Sequence, residues 1–156
     1  MSQPILTGGC QCGAVRYRVE GQVVNAGVCH CRMCQKAGGN FGMAFFGAPS
    51  LAFTRGAPAT FQSSPRVQRG FCARCGTPLY MREGEGYDMT VGSLDHPDSV
   101  PPMKSQIGIE SMCRWFRDLP NVPAHPTSAA YQGREPGAER NLQHPDHDTA
   151  EWPPRN

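Results

Sequence analysis

No stretch of this chain gathers the roughly 18 consecutive apolar residues that a membrane-spanning helix needs, which excludes a helical membrane protein. Met1 to Gly9 has neither a basic opening nor an apolar run, so it does not read as an export signal, and a cytoplasmic location is expected. Charge of one sign is equally scarce: 15 Lys and Arg against 13 Asp and Glu leave a net charge of +2. No basic run is interleaved with aromatics, so nucleic acid is not an expected partner. At 156 residues the chain has room for one modest core, burying about two thirds of its unfolded surface, with a tail besides.

Cysteine is what the chain does have. Seven of its eight thiols fall in three clusters: Cys10 with Cys12, then Cys29, Cys31 and Cys34 within six residues, then Cys72 with Cys75. Eight in 156 residues is sparse for a disulfide scaffold. Without an export signal thiols stay reduced, and pairs one or two residues apart suit chelation better than cross-linking. Three thiols as close as Cys29, Cys31 and Cys34 can grip one soft cation, zinc above all, and three protein ligands leave a coordination position open.

The rest of the sequence reads as short strands. Ala14 to Glu20 alternates, with Val15, Tyr17 and Val19 on the buried side and Arg16, Arg18 and Glu20 on the solvent side. Val23 to Val28 reads as the strand that delivers Cys29, Lys36 to Gly42 as a Gly-rich loop over the triplet, and Phe41 to Phe46 as a strand. Leu51 to Thr54, Ala59 to Gln62 and Val67 to Phe71 follow, broken by Gly and Pro turns. Cys72-Ala73-Arg74-Cys75-Gly76 has the form of a zinc knuckle, in which the glycine lets backbone amides turn toward sulfur. Leu79 to Arg82 and Tyr87 to Val91 read as a hairpin, and Gln106 to Glu110 as a further strand. The pattern is mainly β. The domain is expected to span 1–119. Residues 120–156 are a polar, Pro-rich tail read as flexible or loosely docked, with His144 to Asp148 as a solvated acidic patch.

The clusters can be shared out in two ways. Cys31 and Cys34 can join Cys72 and Cys75, which strands three thiols, or Cys10 and Cys12 can join Cys72 and Cys75, which uses every clustered thiol and leaves the triplet as an open site.

Gly9-Cys10-Gln11-Cys12-Gly13-Ala14-Val15-Arg16-Tyr17, the triplet with Gln35-Lys36 behind it, Ser63-Ser64, and Arg69 to Thr77 resemble the glutathione-dependent formaldehyde-activating (Gfa/CENP-V) family over residues 8–119. The resemblance implies an Mss4-like zinc-binding β fold of short antiparallel strands and two zincs per chain. One would be a structural zinc on Cys10, Cys12, Cys72 and Cys75, the other a second zinc on Cys29, Cys31 and Cys34. It implies a carbon-sulfur lyase of the S-(hydroxymethyl)glutathione synthase type, with glutathione or a similar thiol and formaldehyde or another small aldehyde as partners. The chain departs from the family pattern at Gln106-Ile107, where a His-Ile pair is common, and at Arg114-Trp115, where Pro-Trp is.

An ion held by three thiolates is a poor activator of water and suits a fourth, incoming sulfur, which it keeps as the nucleophilic thiolate. A thiol carrier that does no chemistry and a structural two-zinc interaction module are the rival readings. Arg32, Lys36, Arg66, Arg69 and Arg74 are placed to balance thiolate charge or to receive carboxylates, although each alone also reads as a surface cation. His30, between two candidate ligands, is expected to turn its ring away from them and pack. Phe41, Phe45 and Phe46 read as core, and Cys113 as a small buried hydrophobe.

Overall fold

The computed structural model describes residues 4–153, so expectations for Met1 to Gln3 and for Pro154 to Asn156 lie outside the described residues. Ten strands among the described residues form two sheets. The smaller has the order β1 (Ile5–Gly9), β2 (Arg16–Glu20), β5 (Leu51–Arg55), all antiparallel. The larger runs β10 (Ser105–Ile107), β3 (Val24–Cys29), β4 (Met43–Ala48), β9 (Gly86–Thr90), β8 (Pro78–Glu83), β7 (Val67–Phe71), β6 (Ala59–Gln62). Only the β10–β3 pair is parallel among the described strands. The mainly β fold of short antiparallel strands is thus the one expected. No helix among the described residues is long and apolar enough to cross a membrane.

Alternation accounts for the core. Tyr17 and Val19 of β2 face inward and meet Ala26, Phe46, Leu79 and Met89 from the larger sheet. Burying Phe46, Leu79 or Met89 in full contributes about 1.5–3 kcal/mol each. Cys10 and Cys72 sit in this same core, whereas Cys29 and Cys34 belong to a smaller one with Met43 and Phe45.

Two local expectations are corrected. The presumed loop from Lys36 is a helix, α1 (Arg32–Gly38), because Arg, Met, Gln, Lys and Ala are good helix formers and the Gly pair acts as its stop: Gly39 takes the left-handed conformation at φ 61°. Ile5–Gly9, just before the first cysteine pair, is a strand.

Arg16 is the second correction. Its place in the alternation predicted exposure, yet it is 3% exposed. Its guanidinium makes two hydrogen bonds to Asp95, at 2.7 and 2.5 Å, and one of 2.9 Å to Asp148. A buried charge is tolerated only when paired in this way. Burial pushes the Asp95 carboxyl up, but the hydrogen bonds from Arg16 and Thr7 and the charge of Arg16 outweigh it and hold the carboxyl below its ordinary value.

Asp95→Asn should therefore cost about 3 kcal/mol of unfolding free energy by leaving Arg16 with its buried partner neutralised. A carboxyl held below its unfolded value binds fewer protons in the folded chain, so its stabilisation is complete above the unfolded value of about 4 and is lost as the pH falls through the folded one. Denaturant midpoints between neutral and acid pH are expected to show a shallower acid dependence for Asp95→Asn than for the wild type.

Candidate metal centre

Two knuckle turns build the first cluster. β1 ends at Gly9 and the chain reverses at once: the Gly13 N–H donates to the Cys10 carbonyl at 2.9 Å and the Val15 N–H to the Cys10 sulfur at 3.2 Å. β7 ends at Phe71 in the same manner, with the Gly76 N–H on the Cys72 carbonyl at 2.8 Å and the Arg74 N–H on the Cys72 sulfur at 3.4 Å. Gly13 and Gly76 have φ of 76° and 78°, which side chains other than glycine rarely adopt. The Gln11 N–H donates to the Thr77 hydroxyl at 3.0 Å, and that hydroxyl lies 3.2 Å from the Cys75 sulfur, so the second turn is tied to the first.

These turns bring the sulfurs of Cys10, Cys12, Cys72 and Cys75 within 4.8 Å of one another. Cys10 to Cys12 is 3.6 Å and Cys12 to Cys72 is 3.8 Å, both far beyond a disulfide bond. A tetrahedron with metal-sulfur bonds of about 2.3 Å has edges of about 3.8 Å, so the donor set fits a four-sulfur metal site. Burial pushes the Cys10 thiol up to about 12, against the pull of the Val15 amide. Burial also raises Cys75, but the Thr77 hydroxyl and the backbone amides of Thr77 and Cys12 bring it down to about 6. Such unequal thiols mean that loading a cation must release protons, which ties occupancy to pH.

The second cluster grows from the junction of β3 and α1. Cys29 closes β3 and Cys31 precedes α1 with φ −62° and ψ 154°, an extended N-cap whose side chain makes no capping bond and is left for other use. Cys34 follows one turn into the helix and turns back, so the sulfurs of Cys29, Cys31 and Cys34 also lie within 4.8 Å of one another. No fourth Cys, His, Asp or Glu joins them among the described residues. Cys34 is 1% exposed, and burial pushes its thiol up to about 12. The Arg69 guanidinium opposes that rise through a 3.4 Å hydrogen bond to the Cys34 sulfur, and Ser63 holds Arg69 at 3.2 Å. Arg69 is therefore the cation of the five candidates that touches a sulfur of this cluster, while Arg66 pairs with Glu83 at the surface.

His30 packs as expected. It is fully buried, 4.7 Å from Phe116 ring to ring, and its Nε2 lies 3.0 Å from Gln106 Oε1. Phe45 and Phe46 are core, and Phe41 meets Trp115 edge-on and Phe116 at a tilt beside α1. Cys113 is half-buried in the wall of a 500 Å³ cavity on that side of the helix.

Further residues brace both clusters. Gln35 donates from Nε2 to the carbonyls of His30, at 2.6 Å, and Ser111, at 2.8 Å, strapping the later segment over the triplet. Gly108 lies so close that a Cβ there would meet the Cys31 nitrogen at 2.6 Å. At the first cluster the tail is docked rather than loose. His144 is 5% exposed, so the reading of His144 to Asp148 as a solvated patch is corrected at His144, while Pro145 to Asp148 are exposed. The His144 N–H donates to Gln11 O at 2.8 Å, the Trp152 indole N–H donates to the Cys12 carbonyl, and Arg74 lies 4.6 Å over the Trp152 ring. Arg55 holds the Thr149 carbonyl. Only the long-range fold could reveal these contacts, since each joins residues far apart in the chain, Cys12 and Trp152 by 140 positions.

A family model described as glutathione-dependent formaldehyde-activating enzyme matches residues 5–109. The chain belongs to this family. A Halomonas elongata protein, provisionally named a glutathione-dependent formaldehyde-activating enzyme, is 23% identical over 161 aligned positions that cover 95% of this chain and 94% of that one. A crystal structure of a Rhodobacter sphaeroides protein is similar at 25% identity and a TM-score of 0.49, covering 62% of this chain and 91% of that one. The stretch matched by the family model includes both sulfur clusters and stops before the docked tail.

The tail contacts predict a protective role at the first cluster. Removing the Trp152 hydrogen bond and ring contact should weaken the cover over Cys12 by about 1 kcal/mol. Trp152→Ala is expected to release metal to a chromogenic chelator several-fold faster than the wild type, with unchanged far-ultraviolet circular dichroism.

Proposed function

We propose that Cys10, Cys12, Cys72 and Cys75 hold a structural zinc and that Cys29, Cys31 and Cys34 hold a second zinc with one position for a thiol substrate. The protein then joins that thiol, glutathione or a close relative, to formaldehyde or another small aldehyde. The observation that carries this reading is the contrast between the two donor sets. One cluster offers four sulfurs and fits a closed tetrahedron, and the other offers three with no further protein donor among the described residues. When bound there, zinc supplies a soft Lewis acid that lowers the pKa of a thiol and keeps it as thiolate near neutral pH.

The protein's own residues do the remaining work. Cys31 is the most exposed of the three, so a ligand approaches on its side, while buried Cys29 and Cys34 anchor the site from below. Arg69 places a positive charge on the Cys34 sulfur and limits the negative charge that three thiolates would gather. Gln35 fixes β3, α1 and the segment at Ser111 in one arrangement, which keeps the three sulfurs convergent without a bound ligand.

The addition forms one carbon-sulfur bond. The sulfur lone pair attacks the aldehyde carbon, the carbonyl π pair moves to oxygen, and the proton given up by the thiol ends on that oxygen, giving the S-hydroxymethyl adduct. No oxidant or reductant is needed. The reverse is carbon-sulfur cleavage, as in a lyase.

Formation of S-(hydroxymethyl)glutathione by the zinc-loaded protein tests the reading, measured against the spontaneous rate. An acceleration that disappears in Cys31→Ser supports it, and no acceleration across several thiols and aldehydes rejects catalysis. The enclosure of Cys29 and Cys34 favours one alternative, a carrier that binds the thiol without turnover, and saturable thiol binding with no acceleration is its signature.

Metal content separates the clusters. Cys31→Ser is expected to lose one metal ion per chain and remain folded. Cys72→Ser should lose the stabilisation of a structural site, roughly 10 kcal/mol or more, and fail to give a cooperative thermal transition.

A further inference from the structure

The larger sheet ends at β10 on one side and at β6 on the other. β6 pairs with β7 in an unbroken antiparallel register, from Ala59 opposite Phe71 to Gln62 opposite Gln68. One step further along the same register the Ser63 N–H donates to the Val67 carbonyl at 2.9 Å. Hydrogen-bonded and non-hydrogen-bonded pairs alternate in such a ladder, so Ala59 and Phe61 bond inward to β7 while Thr60 and Gln62 turn their backbone N–H and C=O groups outward. Thr60, Phe61 and Gln62 are all exposed.

Edge strands are kept from pairing by charge, proline, bulges or a covering segment. β6 has no charged residue and no proline, and its ladder has no bulge. It offers instead Phe61, an aromatic 62% exposed. The opposite edge, β10, is three residues long and gives way at once to Gly108 in the left-handed conformation at φ 68°. The β6 edge also matches itself. With two copies running antiparallel about a two-fold axis at Phe61, Thr60 of each stands opposite Gln62 of the other, and every outward N–H meets an outward C=O. Phe61 then faces Phe61 as a non-hydrogen-bonded pair, with Cα atoms about 4.5 Å apart and side chains at their closest. No charge on either strand opposes that approach, and the nearby cations are committed elsewhere, Arg69 to Ser63 and Cys34 and Arg66 to Glu83.

We infer that β6 is the docking edge for a second copy of this chain, joining two larger sheets into one through the backbone groups of Thr60 and Gln62 and a contact between the two Phe61 rings. The inference does not depend on the thiol-binding reading above. Residues directly opposite in an antiparallel pair point to the same face, so the joint sheet carries both Phe61 rings on one side. Phe61 also lines a cleft of 390 Å³ beside α1, with Arg32, Met33, Lys36 and Arg69 and no Asp or Glu in its lining. The clefts of the two copies, each next to a three-sulfur cluster, therefore open on the same side with the ring pair between them. Strands of this length make an interface well below the standard size of about 800 Å² per partner, so a dissociation constant on the order of 10 µM is expected.

Sedimentation velocity of the full-length, metal-loaded chain, from about 1 to about 300 µM, is expected to show a monomer–dimer equilibrium. Phe61→Lys and Phe61→Glu should each weaken it about tenfold or more, because like charges then stand directly opposite each other. An equimolar mixture of the two variants should regain the dimer, since residue 61 of one copy faces residue 61 of the other. Thr60→Pro removes only an outward N–H and spares the bonds to β7, so it should dimerise about tenfold more weakly while keeping its metal content and its far-ultraviolet circular dichroism. Ile107→Lys, at the opposite edge, should associate as the wild type does. A wild type that stays monomeric throughout overturns the second copy as the occupant of this edge. So does a loss of the dimer in Ile107→Lys with none in Phe61→Lys, or a mixture of the Lys and Glu variants that associates no better than either alone.

Discussion

Convergence of four sulfurs from two turns, with Cys12 and Cys72 separated by 60 positions in the chain, is the constraint on which the rest of the structure depends. Thiols packed this closely cannot all ionise without a cation between them, since each added charge raises the cost of the next. With a cation present the same crowding becomes the strongest tie in the molecule. It links the turn between β1 and β2 in the smaller sheet to the turn between β7 and β8 in the larger one, at the point where the two sheets share a core. Without that link the sheets would have to hold together through the shared apolar side chains and the Arg16–Asp95 pair.

The two clusters differ in what they hold. The first draws its sulfurs from both sheets and is covered by the tail through His144 and Trp152, so its integrity is a property of the whole fold. The second is local, made of the end of β3 and the first turn of α1, with Arg69 arriving from β7 to place a charge on the Cys34 sulfur. Local construction allows the second cluster to change its occupancy while the sheets stay intact. That division suits a protein in which one metal maintains structure and the other exchanges a ligand.

Positive charge is arranged to match. Arg16 is matched by Asp95 and Asp148, and Arg66 by Glu83, so those cations are neutralised by protein. Around α1 the cations face a cleft with no carboxylate in its lining. Arg32, Lys36 and Arg69 are thus cations beside the three-sulfur cluster that no protein carboxylate in that lining offsets.

The sequence by itself determined the elements whose cause is local. Alternation and turn residues placed β6 and β7 at their observed limits, and the cysteine spacing separated three groups of donors, because a knuckle needs only a few neighbouring residues and a glycine. It could not show that Arg16 is buried, since the partner Asp95 lies on a remote turn and the alternation of β2 counts only side-chain direction. It misjudged α1, where Gly38 and Gly39 read as a loop although they end a helix, and it left the tail unplaced because proline-rich polar chain carries no period. Where Arg69 delivers its charge and what lies over Cys12 were decided by the tertiary structure alone. Those are relations between segments far apart in the chain, and only the packing of one sheet on the other brings them within bonding distance.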